Sequence, residues 1–299
     1  MNRYRWTAVI LIILGATSYG LLSPFIKLAL NDGWLNGQIT ASQMTMGTII
    51  TWLLVLMRRK SWSNPFRGPW VRLSLIGIFG LACTTVLYNN TLARLDASLS
   101  IILLFQFTWM TILLDSIVNR RWPRGFQMLA VVIVMAGTLF AVNIIALDWS
   151  HISLSGVALG LASGFTYSLF LFLTGRVDDR MDALMKSAIM LTAALIPLYI
   201  IYPANFLMVA GGSSLLLWGL LLGVLGQVVP TLFFNIGISR VGSSVAAMLG
   251  SLELPVGVVG AWLILGESVL AVQWLGMLLI LVGIYVSEMK RVHLENRST

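Results

Sequence analysis

One carboxylate stands out in the sequence because it lies in the middle of a long apolar stretch. This residue is Glu253, which is followed two positions later by Pro255. A charged side chain at the centre of a bilayer costs at least about 2.5 kcal/mol, so Glu253 must face protein or water. Two roles are open. Glu253 either takes up and releases a proton in different states of the protein, or it bonds backbone groups that Pro255 leaves unpaired.

A cation lies in an equally unusual place, at the end of the first apolar stretch. Lys27 follows Pro24, whose missing N–H bends a helix and exposes a carbonyl group. Lys27 could receive the carboxylate of a bound solute, pair with Glu253, or extend to lipid headgroups. Pro24 is also a hinge candidate, together with Pro230 and Pro255 in later apolar stretches.

Aromatic and amide side chains supply the other candidates for a binding cavity. Aromatic residues in membrane helices commonly serve packing or anchor the helix at the interface, and asparagines can bond across helices. If these residues line a cavity, its walls are mostly apolar with few polar groups, which suits amphipathic solutes such as hydrophobic amino acids. The candidates are Tyr19, Tyr88, Asn89, Gln106, Trp109, Tyr167 and Asn235.

The composition indicates that lipid surrounds the elements that carry these residues. Of 299 residues, 58% are hydrophobic and only 10% are charged, and the mean hydropathy is +0.91. Soluble domains average about 45–50% apolar and about 25% charged residues. The single cysteine and the two histidines, Cys83, His151 and His293, cannot build a disulfide framework or a Cys/His metal cage. We therefore expect no metal and no cofactor.

Apolar windows of about 20 residues, the length that crosses a bilayer, predict ten transmembrane helices. With both termini cytoplasmic, 17 of the 19 Lys and Arg residues fall on the inner side, as the positive-inside rule requires. The net charge of +8 therefore faces lipid headgroups rather than nucleic acid. The predicted spans are residues 7–29, 37–57, 71–91, 97–118, 126–145, 153–174, 183–202, 214–236, 243–265 and 269–288.

A shift of 146 residues brings the two halves of the chain into register from about residue 75 to 137. It pairs Asn89 with Asn235 and Arg94 with Arg240, and a shift of 148 pairs Tyr19 with Tyr167. Each half then holds five spans, residues 1–147 and 148–299. Because five is odd, the halves cross the membrane in opposite directions, an arrangement typical of transporters that work by alternating access.

Several short segments resemble the drug/metabolite transporter superfamily, in its ten-span EamA-type branch. The likeness covers nearly the whole chain, and the first half departs from the family pattern at Trp109 and at Arg120-Arg121, where a proline and a Gly-Glu pair are usual. The segments that carry it are Ala16-Thr17-Ser18-Tyr19-Gly20 with Ser23, Pro24 and Lys27; Ala93-Arg94-Leu95-Asp96-Ala97-Ser98; Ser251-Leu252-Glu253-Leu254-Pro255; Gly266-Glu267; and Gly276 with Gly283.

The resemblance implies a plasma-membrane permease, commonly an exporter of amino acids or other small metabolites. It also implies a central cavity between the halves, lined by spans 1, 3, 4, 6, 8 and 9. We expect a secondary transporter, active as a monomer or homodimer, whose partners are a small-molecule substrate and membrane lipid. An enzyme is not expected, because the chain has no HExxH and no GxGD motif. The alternative is a sensor or scaffold that does not transport but keeps a transporter fold.

Overall fold

The computed structural model describes residues 3–58, 64–92, 94–95, 97–120, 122–123, 125–141, 153–177, 181–203, 212–266 and 268–295. All regular secondary structure in these ranges is helical. Eight helices are long and apolar enough to cross a membrane, and two shorter apolar helices, Gly125–Ala141 and Ala271–Val286, bring the number to ten. The predicted all-helical, ten-span fold is confirmed.

Six of the spans are single helices, and four are assembled from shorter pieces. The single helices are span 1, Arg3–Asn31; span 2, Asn36–Met57; span 5, Gly125–Ala141; span 6, Leu154–Thr174; span 7, Ala183–Ile201; and span 10, Ala271–Glu295. Span 3 comprises Trp70–Leu75, Ile76–Ala82 and Cys83–Leu92, and span 8 comprises Gly212–Gly223, Val224–Val228 and Val229–Val241. Span 4 comprises Ala97–Phe105 and Phe107–Asn119, and span 9 comprises Ser243–Gly250, Glu253–Gly260 and Ala261–Leu265.

Local sequence accounts for several helix ends. The side chain of Asp182 accepts a hydrogen bond from the Leu184 N–H at the start of span 7, which satisfies one of the free donors of the first turn. Gly242 after span 8 has φ of 86° and Gly266 after span 9 has φ of 69°, a conformation that glycine adopts without a steric cost. Span 8 therefore continues to Val241, five residues beyond its predicted end.

The broken spans occur at equivalent places in the two halves. Spans 3 and 8 each contain a π-helical segment, Ile76–Ala82 and Val224–Val228, and spans 4 and 9 are each interrupted, at Gln106 and at Ser251 and Leu252. The hydropathy pattern predicted uninterrupted spans here, because an interruption of one or two residues leaves the apolar average unchanged. Breaks and π-segments in membrane helices often mark functional sites.

Paired hydrogen bonds between spans 2 and 7 demonstrate that the two halves are inverted copies. The hydroxyls of Thr45 and Tyr199 bond each other, and Trp52 Nε1 donates to Thr192 Oγ1 at 2.9 Å. A shift of 147 residues converts Thr45 into Thr192 and Trp52 into Tyr199. One bond is therefore the image of the other, as a two-fold axis between the antiparallel spans requires.

The equivalent asparagines repeat this relation within each half. Asn89 Nδ2 on span 3 donates to Thr40 Oγ1 on span 2 at 2.8 Å, and Asn235 Nδ2 on span 8 donates to Ser187 Oγ on span 7 at 2.9 Å. Successive spans alternate in direction, so the two bonds lie at opposite ends of the bundle. We call the end at which span 1 begins the terminal end.

Spans 5 and 10 pack together through glycines. A Cβ atom on Gly137 would lie 2.8 Å from the carbonyl oxygen of Gly276, and one on Gly283 would lie 3.1 Å from that of Ala130. The shift of 146 residues converts the first contact into the second. Small residues thus let the two backbones approach, as is common between membrane helices.

Lys186, one of the cations counted on the inner side, lies in the first turn of span 7, within the predicted span 183–202, and is 3% exposed. The predicted boundary between the repeats, at residues 147 and 148, lies outside the described residues.

Candidate functional site

Aromatic side chains from both halves meet where the two-fold axis passes. The rings of Tyr19 and Tyr167 contact each other edge to face, with centroids 6.3 Å apart. These tyrosines are equivalent residues, and equivalent residues touch only beside the axis. Tyr19 also contacts Phe234 at 6.2 Å, and Tyr167 contacts Phe107 at 4.6 Å. Thr231 adjoins Tyr19, and Tyr88 lies near Glu253. We call these residues the central cluster: Tyr19, Tyr88, Phe107, Tyr167, Thr231, Phe234 and Glu253.

Glu253 belongs to the central cluster through its charge and its backbone. Its carboxylate interacts electrostatically with Tyr19, Tyr88 and Tyr167. Gly20 on span 1 faces the Glu253 backbone so closely that a Cβ atom would lie 2.5 Å from its carbonyl oxygen. Glycine at position 20 therefore lets span 1 approach the break in span 9.

Three polar atoms of the central cluster are buried without a hydrogen-bond partner in the part of the chain that the structure describes. They are Glu253 Oε2, Tyr167 Oη and Thr231 Oγ1. Leaving a buried polar group unsatisfied costs about 1–3 kcal/mol, and more for a charged group. Unsatisfied buried groups in a folded protein call for an explanation, and a bound polar ligand, a proton or an ordered water would each provide one.

The interruptions of spans 4 and 9 adjoin each other at this site. Thr108 Oγ1 and Ser251 Oγ lie 3.2 Å apart, and Gly250 packs against the rings of Phe107 and Phe234. Phe107 begins the second piece of span 4, and Glu253 begins the second piece of span 9. The shift of 146 residues makes these two residues equivalent.

Four of the predicted site residues come together in the central cluster, and they are Tyr19, Tyr88, Tyr167 and Glu253. With Phe107, Thr231 and Phe234, the central cluster draws one or more residues from spans 1, 3, 4, 6, 8 and 9. These are the six spans that the family resemblance assigned to the cavity.

Other predicted site residues make contacts elsewhere. Trp109 Nε1 donates to Gln106 Oε1 at 2.7 Å, and Gln106 Nε2 donates to the Ile102 carbonyl. These contacts stay within span 4, and Trp109 is 37% exposed. Asn89 and Asn235 bond neighbouring spans, as described above. These contacts suit a structural role.

Lys27 and the three candidate hinge prolines lie close in sequence to members of the central cluster. Lys27 is exposed on span 1, seven residues beyond Gly20, a distance of about 10 Å along a helix. Pro24 is buried inside span 1, and Pro230 directly follows the π-helical segment of span 8. The pairing of Lys27 with Glu253 and the hinge roles stay predictions.

The position of Pro255 bears on the two roles considered for Glu253. Pro255 is the third residue of the helical piece Glu253–Gly260, where a backbone N–H has no intrahelical acceptor in any case. The proline therefore removes no bond that this piece would make. Glu253 Oε2 has no hydrogen-bond partner among the described residues, and both roles of Glu253 stay predictions.

A polar network joins the two halves at the terminal end. Asp115 on span 4 accepts hydrogen bonds from Asn119 at 3.0 Å, from Ser243 at 3.4 Å and from Ser244 at 3.2 Å. Arg176, just after span 6, lies 3.9 Å from Asp115 and donates to Asn119 Oδ1 at 2.8 Å. We call these five residues the terminal-end network.

Asp115 lies within six residues of Arg120 and Arg121 in the sequence, and an interfacial ion pair with them is the simplest prediction from the sequence. The structure instead pairs Asp115 with Arg176, at 3.9 Å. Arg121 lies outside the described residues. A cavity of about 490 Å³ opens beside Asp115, and Asn119 and Ser244 contribute to its lining.

Three members of the central cluster, Phe107, Thr231 and Phe234, are not among the predicted site residues. They are uncharged and occur within apolar stretches, so their residue types gave no signal. A signal existed in the repeat, because the shift of 146 residues pairs Phe107 with Glu253 and Thr85 with Thr231. Among the described residues, no group of three or more His, Cys, Asp and Glu side chains could hold a metal ion.

Comparison with known proteins identifies a matching family and a solved structure with the same fold. The profile described as the EamA-like transporter family matches residues 6–143 and again residues 154–289. Two similar proteins are the threonine/homoserine exporters RhtA of Salmonella typhimurium strains SL1344 and LT2. Each is 27% identical over 244 residues, which cover 80% of this chain and 77% of the exporter.

One solved structure, described only as the crystal structure of a protein, has the same fold. It superposes with a TM-score of 0.76, covers 97% of this chain and 99% of its own, and is 20% identical. At this identity, the likeness concerns the fold alone.

Proposed function

The chain belongs to the EamA-like transporter family, and on that premise we propose that it exports small neutral amino acids by alternating access. The membrane is the plasma membrane, with both termini in the cytoplasm. The observation that carries this proposal is the position of Glu253 among aromatic rings where the two halves meet, with its Oε2 atom buried and lacking a hydrogen-bond partner among the described residues. The threonine and homoserine named for the similar exporters indicate the size and polarity of the substrate.

The central cluster supplies the groups that an amino acid requires. The ammonium group of the substrate binds the carboxylate of Glu253, and the faces of Tyr19 and Tyr167 add cation–π attraction. The Tyr167 hydroxyl, which has no hydrogen-bond partner among the described residues, bonds a polar atom of the substrate. Binding therefore satisfies groups whose burial is otherwise costly.

A single carboxylate can also couple the export of the amino acid to the entry of protons. Glu253 can hold a proton or the ammonium group of the substrate, but the two compete for the same oxygen atoms. Protonation therefore releases the substrate on the outer side, and loss of the proton on the inner side permits the next substrate to bind. The result is exchange of amino acid for protons.

The arrangement of the helices supports alternating access. The paired bonds between spans 2 and 7 and the close contact of spans 5 and 10 hold the inverted halves together. The broken spans 4 and 9 and the prolines Pro24, Pro230 and Pro255 provide places to bend. In this proposal the terminal-end network, which links Asp115 to Ser243, Ser244 and Arg176, is the contact that must open on the cytoplasmic side.

Counterflow in proteoliposomes tests the proposal. Vesicles loaded with unlabelled amino acids should take up labelled threonine or homoserine saturably, and an acidic lumen should increase accumulation by wild type. We expect Glu253→Gln to retain counterflow with weaker affinity and to lose the response to the pH gradient.

Asp182→Asn is the matched control, because it removes the same charge while the amide oxygen still caps span 7. An unchanged pH response in Glu253→Gln would exclude Glu253 as the coupling site. No counterflow of any amino acid by folded wild-type protein would contradict export and support the sensor or scaffold.

A further inference from the structure

The two broken spans present different side chains at equivalent positions. Phe107 is the first residue after the break in span 4, and Glu253 is the first residue after the break in span 9. The two breaks are in contact, since Thr108 Oγ1 and Ser251 Oγ are 3.2 Å apart. The inverted repeat thus places an aromatic ring where its image carries the carboxylate.

The axis between Tyr19 and Tyr167 puts these side chains on opposite sides of the central cluster. Phe107 contacts Tyr167 with ring centroids 4.6 Å apart, whereas Glu253 adjoins span 1 at Gly20. Phe107 is fully buried. The central cluster therefore has a charged side at Glu253 and an apolar wall at Phe107.

From this arrangement we infer that Phe107 sets the upper size limit for the side chain of the transported amino acid. The inference rests on the proposed function. A substrate whose ammonium group binds Glu253 directs its side chain across the axis, toward Phe107. Small neutral side chains fit against the ring, and branched or aromatic ones collide with it.

Shortening Phe107 should widen the range of substrates rather than abolish binding. Removing a buried ring leaves a cavity, and a longer substrate side chain can fill that cavity. Each additional buried methylene group raises affinity about fourfold. Leucine, with more apolar atoms than alanine, should therefore gain at least about tenfold in apparent affinity.

The experiment measures how well unlabelled alanine, threonine, valine, leucine and phenylalanine inhibit counterflow of labelled threonine. Wild type, Phe107→Leu and Phe107→Ala are compared, with Phe170→Leu as a matched control. Phe170 is also fully buried and stacks on Tyr167 at 6.1 Å, but it is not part of the central cluster. Phe107→Trp is included because it should restrict the range to the smallest substrates.

We expect leucine and phenylalanine to inhibit at least about tenfold better in Phe107→Ala than in wild type, with a smaller gain in Phe107→Leu. Phe170→Leu should keep the wild-type order. If wild type carries threonine and the Phe107 variants keep that same order, the inference is overturned while the proposed function stands. If wild type carries no amino acid, both fail. Should Phe107→Ala not fold, Phe107→Leu and Phe107→Trp decide the question.

Discussion

The two halves of the molecule share one scaffold and differ at its centre. The asparagine bonds to Thr40 and Ser187 are images of each other, and so are the contacts between spans 2 and 7. At the two breaks, however, the first half carries Phe107 and the second carries Glu253. Residues that hold helices together are thus alike in the two halves, and so are Tyr19 and Tyr167 at the axis, whereas the residues that follow the two breaks differ. This difference makes the central cluster asymmetric, as an amino acid is.

The halves also differ away from the axis, in the polar contacts at each end. Asp115 and Arg176 bond at the terminal end, but their images in the repeat are Ala261 and Leu28. The opposite end therefore cannot form the same ion pair. In the proposed transport cycle, the two ends would have closures of different strength, which would bias the equilibrium between the two conformations.

The largest expected effect is at Gly20, whose image in the second half is Ser168. A Cβ atom at position 20 would lie 2.5 Å from the Glu253 carbonyl oxygen and 2.8 Å from Val256 Cβ. We expect Gly20→Ala to lower the free energy of unfolding by about 1–3 kcal/mol and to reduce counterflow severely. Thermal unfolding in detergent and transport measure the two effects.

Two controls separate this crowding from a general loss of glycine. Gly125→Ala adds a Cβ atom that has nothing within 4 Å. Ser168→Ala changes a residue that already has a Cβ atom, so it adds no new crowding. Both variants should behave like wild type. Equal damage from Gly20→Ala and Gly125→Ala would show that the approach of span 1 to span 9 does not matter.

Weakening the terminal-end network should have an intermediate effect, measured on the accessibility of this end of the bundle. Asp115→Ala removes a partly exposed ion pair and two serine hydrogen bonds, worth together about 1 kcal/mol and hence about fivefold in conformational populations. In a Cys83→Ser, Met248→Cys background, this change should raise the rate of maleimide labelling about fivefold. Met248 is 2% exposed in the present conformation.

Arg176→Ala should act in the same direction, since it removes the partner of the same ion pair. Asp182→Asn, which alters a carboxylate outside the network, should leave the labelling rate unchanged. A wild-type rate in both Asp115→Ala and Arg176→Ala would mean that the network does not close this end.

The smallest expected effect is a difference in stability between variants of the two equivalent asparagines, Asn89 and Asn235. Asn235 is 2% exposed and Asn89 is partly exposed, although their hydrogen bonds are images of each other. Hydrogen bonds between membrane helices average about 0.6 kcal/mol, and a buried partner left unsatisfied costs more. Asn235→Ala should therefore lower the free energy of unfolding more than Asn89→Ala, as measured by thermal unfolding. The reverse order would contradict the difference in burial.

Much of the fold could be predicted because the relevant signals are local in sequence or repeat along it. The apolar windows located all ten spans, and the shift of 146 residues identified the repeat. The interruptions in spans 4 and 9 escaped prediction because one or two non-helical residues barely alter a hydropathy average.

The candidate site was predictable only where a residue type is costly in lipid. Glu253 stood out for that reason, and the repeat drew attention to Tyr19 and Tyr167. The sequence could not separate the aromatic residues that face the centre from those that face outward. Trp109 is 37% exposed and Tyr167 only 5% exposed, although both have similar apolar neighbours in the sequence. Which face of a helix turns inward depends on packing against other spans, and hydropathy in a uniformly apolar segment does not record it.

The sequence by itself determined the solvent of this protein, its ten spans, its inverted duplication and its one mid-span carboxylate. These features follow from the free energy of transferring side chains into lipid. Each segment's transfer free energy depends on its own residues and not on the other segments. Only the tertiary structure decided that Tyr19 meets Tyr167, that Phe107 opposes Glu253, and that Asp115 pairs with Arg176. Those contacts join residues far apart in the chain, and they depend on the rotation and approach of whole helices.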